Sequence, residues 1–548
     1  MRSLLLSAVL LFIGTATLWA QQVITGKVTA GGAPLPNVTV SVIGSKISSR
    51  TNEAGGFSIN APANAVLEFT HIGYAPKRVP ASADMNVQLE TTSEGLGDVV
   101  VVGYGTTRKA DLISSVASIS GKELTTFKDP NAANSLQGEV PGVRVLAGSN
   151  GPGAQPNIYI RGIYTVQGTS QPLLIVDGVP IQSGFFNSIN PADIERMDVL
   201  KDASAAAIYG AQAASGVIVI TTKKGKAGQS NLNVTLNYQL QTLKRPFTMA
   251  NSTEWLKFQR LSNPSFTVAE TPINQYDTTK STDWWNSVIN SHSPTTNVGI
   301  NYTGGSEKSQ YAMSLSYTDA HANTKVGDWK RITGRFSGDF RINDWLKFGG
   351  SLAPRYETWI NTPVDFLGLL GTDPITSPFI NPNLQHIPAS ADPGLYDAKW
   401  SAYGTPYGGP GNGTPPPNYV FGMNLATLNP NQLYGIQSSS FMEIQPIKGL
   451  TFRTTAGANV DNTTSNFFIP RYYLNPNNFS SLTKAGQGFD TKYNWVLSNV
   501  LTYKFSVAEK HNITALVGQE AAEQKEYYGS GQKVSADSTN GNNPLFAY

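Results

Sequence analysis

DVLKDASAAAIYGAQAASGVIVITTKKG, Asp198 to Gly225, decides how the rest of the chain is read. Its first part predicts a short helix of small residues, Gly216 marks a turn, and Val217 to Ile220 reads as an apolar strand closed by Lys223 and Lys224. Beyond it the sequence changes character. In NLNVTLNYQL, Leu232, Val234, Leu236, Tyr238 and Leu240 share one face, and Asn231, Asn233, Thr235, Asn237 and Gln239 share the other. In RITGRFSGDFRI, Ile332, Phe336, Phe340 and Ile342 oppose Arg331, Thr333, Arg335, Asp339 and Arg341. Long strands with one apolar and one strongly hydrophilic face suit lipid on one side and a wet lumen on the other. The quoted stretch therefore closes a compact unit at the threshold of a membrane β-barrel.

Working outward, candidate strands lie near 230–243, 294–303, 309–319, 330–343, 345–358, 431–446, 450–462, 490–506 and 512–525. The connections alternate between short turns and long segments, the longest being 359–430, which is the pattern of an outer-membrane barrel. The first strand then rises from the periplasm and the long loops lie outside the cell. About nine strands is an odd count, whereas bacterial single-chain barrels are even. A compact unit of more than a hundred residues, if it is to sit inside the barrel, also needs a lumen of the ~22-strand class. The expectation is an amino-terminal part of a longer protein.

Upstream of the quoted stretch, residues 106–225 mix strands (GVRVLA, NIYIRG, PLLIVDGVPI, GVIVITT) with expected short helices (AANSLQG, PADIERMDVL), an α+β pattern. Residues 21–90 hold short β-rich runs between Gly, Pro and Asn turns, the pattern of a small sandwich. Between these two units, 91–105 is a linker carrying four consecutive valines at 99–102. Arg2, the apolar Leu4 to Ile13 and the small residue Ala20 make 1–20 a secretory signal peptide. The fold class expected is mainly β: a sandwich, an α+β unit, then an antiparallel transmembrane barrel over 226–548.

Composition narrows the chemistry. Charged residues are 14% of the 548, against roughly 25% in average soluble proteins. A net charge of +3 gives no ground for nucleic-acid binding. There is no cysteine, hence no disulfide. No HExxH, GxSxG or P-loop occurs, and the five histidines are scattered, so neither catalysis, a metal site nor a cofactor is expected.

The motifs LGDVVVVGYGTTRKADL, LQGEVPGVRV, IYIRGI, PLLIVDGVPI, INPADIERMDVLKDASAAAIYG and GVIVITTKKG, in this order, resemble the SusC/RagA group of TonB-dependent outer-membrane transporters. The region 21–90 resembles the carboxypeptidase regulatory-like domain of that group, and 106–225 its plug. One departure is Gln212, where the family pattern commonly has a basic residue. The resemblance implies energised import of oligosaccharides or peptides, driven by TonB with its ExbB/ExbD complex, under a SusD-like surface lipoprotein. Asp98, Val99, Val100, Val101 and Val102 are then the candidate TonB box, because β-branched residues suit edge-to-edge strand pairing. A permanent plug strand is the rival reading of that segment.

Arg161, Gly162, Asp177, Gly178, Lys201, Asp202, Tyr209 and Gly210 carry the plug motifs. Arg161, Arg144, Asp177, Glu195, Arg196, Lys201 and Asp202 are candidates for ion pairs between plug and barrel wall, or for bracing turns within the plug. Trp284, Trp285, Trp400, Tyr403, Tyr407 and Tyr419 are candidate substrate contacts in the long loops, or the residues that fold those loops on themselves. Two other readings stand beside the importer: a siderophore-type receptor without a lipoprotein lid, and a barrel-anchored binding or adhesion protein.

Overall fold

The computed structural model describes residues 21–535 except 46, 63–64, 72–73, 75, 90–98, 103–104, 109–115, 127–128, 147, 149–150, 166–169, 182–185, 187–188, 203–206, 269–277, 362–363, 380–397, 402, 404–416, 476 and 508–510. The expected signal peptide lies outside the described residues. The chain divides into two compact units, one reaching Val99 and the other from Val100 onward apart from 108–111.

In the first unit, Gln21–Ala30 is the centre of one sheet. It pairs antiparallel with Gly56–Pro62, parallel with Met85–Gln88, and at its end with Ala33–Pro34. The second sheet runs Ser48–Arg50, Thr39–Val42, Val66–Thr70, Lys77–Pro80, all antiparallel. Alternate residues of both sheets, among them Ile24, Val28, Val40, Phe57, Ile59, Leu67 and Phe69, form one core. The Phe57 and Phe69 rings meet edge-on at 5.3 Å. Lys77–Pro80 and Met85–Gln88 are short and half polar, so no apolar run marks them in the sequence.

The plug has a five-stranded sheet in the order Val116–Ser120, Ile194–Leu200, Val217–Thr222, Leu173–Val176, Val179–Ile181. Val217–Thr222 runs parallel to Leu173–Val176, and the other pairings are antiparallel. Leu124, Ile160, Leu174, Met197, Val199, Ile218 and Ile220 pack on one side. Ile175, Leu200, Val217 and Val219 pack on the other. A strand covered on both faces has no polar alternation, which is why VIVI reads as an unbroken apolar run.

Strand and 3-10 turns stand where helices were expected. In PADIERMDVL only Pro191–Asp193 is helical, a single 3-10 turn capped by the Asn190 side chain; Ile194–Leu200 is a strand. Hydrogen bonds to neighbours on both edges outweigh the local preference of Glu, Arg and Met for helix. AANSLQG contributes only the 3-10 turn Asn134–Leu136. Ala207–Ala213 is 3-10 and broken at Gly210, where φ is 67°.

The wall is one antiparallel sheet of nine strands in sequence order. They are Ser230–Thr242, His292–Gly305, Ser309–Ala320, Trp329–Arg341, Leu346–Trp359, Asn431–Ile447, Leu450–Ile469, Thr483–Val507 and His511–Ser535. The last three extend well past the expected ends, on the side of the long loops. At 20 and 25 residues they exceed the ~9–11 needed to cross a bilayer. Leu232, Leu236, Met313, Leu315, Ile332, Phe336, Leu352, Leu497 and Leu501 all point outward and are exposed. Arg331, Arg335, Arg355, Glu357, Asn459 and Asp461 point inward and are buried. Among the described residues no helix is long and apolar enough to cross a membrane.

This inversion of the soluble pattern has a direct consequence. Leu315, in the middle of the third wall strand, is 57% exposed. Leu315→Arg is expected to destabilise the wall in lipid by about 2–4 kcal/mol, while Leu315→Phe is tolerated. Urea titration of the protein refolded into bilayers measures both; equal stability of the two variants would contradict a lipid-facing Leu315.

Candidate functional site

The fourth wall strand, Trp329–Arg341, alternates, so its odd-numbered residues face inward. Four of them each meet a different part of the plug. Arg335 Nη2 donates to Asp177 Oδ2 at 2.5 Å, to Thr222 Oγ1 at 2.9 Å and to Ser351 Oγ at 3.1 Å. Asp177 sits at a positive φ of 49° in the turn of a two-strand hairpin. Its carboxylate also accepts from the Thr222 N–H at 3.0 Å and the Thr222 hydroxyl at 2.7 Å. One guanidinium thus ties two plug strands to the wall.

Arg331 donates to the Pro130 carbonyl at 2.8 Å and lies 4.8 Å from the Trp329 ring centre. Trp329 donates through Nε1 to Glu357 at 3.0 Å. Glu357 accepts from Arg355 at 3.1 Å, and Arg355 in turn pairs with Asp461. Asp339 accepts from Lys224 at 2.7 Å. Away from this strand, Ser314 donates to Asp193 at 2.8 Å and Asn494 donates to the Pro180 carbonyl at 3.1 Å. A Cβ on Gly457 would lie 2.3 Å from Val179 Cγ1, so the wall gives up a side chain there to seat the plug hairpin.

Of the residues proposed to join plug and wall, Asp177 does so. Arg161–Asp202, Arg196–Asp198 and Lys201 to the Pro141 carbonyl are instead contacts within the plug. Arg161 takes φ 62°, Gly162 φ 148° and Gly178 φ 87°, so these residues shape turns. Tyr209 packs partly buried against the Ile175 and Leu200 side of the plug sheet. The wall contacts through Asp193, Lys224, Trp329, Arg331, Arg335 and Asp339 were missed. For Arg331, Arg335 and Asp339 the only signal was the hydrophilic face of RITGRFSGDF, which names a face but no partner.

On the long-loop side of the plug lies a cavity of about 330 Å³. Asp129, Asn131, Asn134 and the loop Gly151–Ala154 form its plug side; Gln239, Gln241, His321, Asn323 and Trp329 line the wall side. Gly153 at φ 77° rests on the Trp329 ring, where a Cβ would come within 2.5 Å. His321 Nδ1 lies 2.8 Å from Asp328 Oδ1. Asn323 Oδ1 is a buried acceptor without a protein partner. Five carboxamides, which both donate and accept, line it beside Asp129, His321 and the apolar Trp329, Val364 and Phe366.

The candidate loop aromatics lie elsewhere. Trp284, Trp285, Tyr403 and Tyr419 are buried with Leu369, Phe421, Met423 and Leu474 in a core belonging to the loops themselves. Trp284 Nε1 donates to the Asp373 carbonyl at 2.7 Å. Burial, with Asp365 nearby, pushes the Tyr419 hydroxyl up to about 12. These rings fold the loops in this structure and offer no open face. Tyr407 and the Trp400 side chain lie outside the described residues. Val99–Val102 is a strand paired with Gly105–Arg108, and Asp98 lies outside the described residues. Among the described residues no group of three or more His, Asp or Glu is arranged to hold a metal ion.

A β-sheet wall with an apolar outer face, holding a folded plug by its inner face, defines a plugged outer-membrane protein. Residues 108–217 match the TonB-dependent Receptor Plug Domain and residues 24–102 the CarboxypepD_reg-like domain. The chain is 30% identical over 511 residues to TonB-dependent receptor P26 of Formosa agariphila, covering 91% of this chain and 48% of that protein. It is 34% identical over 328 residues to TonB-dependent receptor SusC of Bacteroides thetaiotaomicron, covering 58% and 32%. Among solved structures, the RagAB peptide importer in its open-open state aligns with a TM-score of 0.65 at 27% identity, over 80% of this chain and 50% of that one. The chain belongs to the SusC/RagA type of TonB-dependent outer-membrane transporters. It spans about half the length of the curated relatives it matches.

Two outcomes follow from the geometry. Arg335 and Asp177 are 8% and 16% exposed, so removing one leaves the other's charge buried. Arg335→Met is expected to weaken plug docking by about 3–5 kcal/mol, and adding Asp177→Asn to recover part of it. Protease protection of the plug across a denaturant series reads both; no change in Arg335→Met would dismiss the contact as ornamental. Asp193 is held above the ordinary carboxylate range because burial outweighs the Ser314 hydrogen bond and the cations of Arg335, Lys223 and Arg331. A raised native value means its contribution is full below the ordinary pKa and is lost as pH rises through the raised one. Asp193→Asn should remove that slope from the pH profile of plug docking; an unaltered profile counts against it.

Proposed function

We propose that this chain is the plug-bearing part of an energised importer for oligomeric hydrophilic solutes, oligosaccharides or peptides. The observation that carries the reading is the cavity of about 330 Å³ between plug and wall, on the side of the long loops, with five carboxamides in its lining. Carboxamides can satisfy sugar hydroxyls or peptide groups without a net charge. The family kinship to SusC and to the RagAB peptide importer supports this class of solute.

In this reading the short-turn end faces the periplasm and the long loops face outward. TonB, energised by ExbB/ExbD, pairs with Asp98–Val102 by strand addition. A SusD-like lipoprotein covers the loops. Solute enters the cavity, TonB pulls on the segment ahead of the plug, and the polar contacts along Trp329–Arg341 give way in part. Such contacts suit a reversible plug because solvent or solute groups can replace each hydrogen bond as it breaks.

Deleting Asp98–Val102 from the full-length transporter is expected to reduce uptake of labelled oligosaccharide or peptide to that of cells lacking it, with binding to purified protein retained. Uptake that survives the deletion favours a barrel-anchored binding protein instead.

A further inference from the structure

We infer that solute leaves between the plug and wall strands four to seven, and that Lys224 is the gate of this path. The inference rests on the import reading above. Plug and wall meet without room for a methyl group at Gly153 on Trp329 and at Val179 on Gly457. On the short-turn side of Arg335, Thr222 and Lys224 of the plug instead face Ser351, Ser439 and Thr455 across a cavity of about 30 Å³. That is space for roughly one or two waters. Asp339, Phe441 and Arg453 bound it and also line a second cavity of about 220 Å³ near the short turns. The two cavities share those three side chains, and on the proposed path they make a fissure with its constriction there.

Lys224 crosses the constriction. Its Nζ donates to Asp339 at 2.7 Å and lies 5.5 Å from the centre of the Phe441 ring. Arg453 lies over the same ring at 4.0 Å and is held by Glu443 at 3.1 Å. The Lys224 and Asp339 side chains are 45% and 27% exposed, so their pair is of the weak, solvated kind, unlike Arg335–Asp177. Lys224 also stands two residues past the last plug strand, where its side chain can swing away while the sheet stays folded. Its departure leaves a lane of hydroxyls, each able to donate to and accept from a neutral solute. It also leaves the Phe441 ring to Arg453 alone.

The chain has no cysteine, and with any cysteine in the remainder of the full-length transporter replaced by serine, single cysteines report access cleanly. Ser439→Cys and Ser316→Cys would be placed separately in the full-length transporter, in isolated outer membranes treated with a small water-soluble methanethiosulfonate. Ser316 is 3% exposed and bonded to Thr333, away from the fissure. Adding Lys224→Ala should speed labelling at 439 by roughly fivefold, the factor that loss of a half-exposed ion pair allows, and leave 316 protected. Lys224→Arg should restore the slow rate. Unchanged labelling at 439, or equal acceleration at 316, overturns the gate. Joining Lys224→Cys to Phe441→Cys with a short thiol cross-linker should stop uptake, retain solute binding and be reversed by a cleavable linker; continued uptake overturns the path. Labelling needs no solute, so a gate that opens in a protein importing nothing would fault the import reading alone.

Discussion

The structure hangs on the inward face of Trp329–Arg341. Because a strand turns alternate side chains to one side, Trp329, Arg331, Arg335 and Asp339 reach four separate parts of the plug from one backbone. Arg335 is the centre of this row. Its Nη2 reaches Asp177, Thr222 and Ser351 together, so one side chain of the wall meets two plug strands and the next wall strand. Desolvating that charge is costly, and the cost is offset only because the plug is present. Plug and wall therefore complete one another: each leaves buried charges that the other satisfies.

The same arrangement separates two grades of attachment. Arg335–Asp177 and the Glu357–Arg355–Asp461 chain are buried; the latter joins wall strands to each other. Lys224–Asp339, at the end of the plug, is solvated. Loss of a solvated pair changes little in free energy, whereas loss of a buried partner leaves a charge in a poor solvent. A plug held this way has a firm middle and a yielding end.

Much of the fold was legible. The nine wall strands could be placed from period-two alternation, since lipid and water impose opposite demands on successive side chains over the length of a strand. Their far ends could not: beyond the bilayer neither face is constrained by lipid, and pairing alone sustains Thr483–Val507 and His511–Ser535. Within the plug, local propensity misread Ile194–Leu200 as helix because its strand form exists only between two neighbours distant in sequence. Of the site, Asp177 was visible as a charged turn residue. Its partner lies 158 positions away, and no spacing rule links them.

Asp198 to Gly225 by itself determined that a compact unit ends where a wall begins, since an unbroken apolar strand and a long alternating one must face different surroundings. Only the tertiary structure decided what its closing residues do. Thr222 joins the Arg335 network and Lys224 crosses to Asp339, while Trp284, Trp285, Tyr403 and Tyr419, which invite a role in binding, are spent on folding the loops. Alternation fixes which way a side chain points, but the identity of what it meets is set by contacts between segments that the sequence keeps far apart.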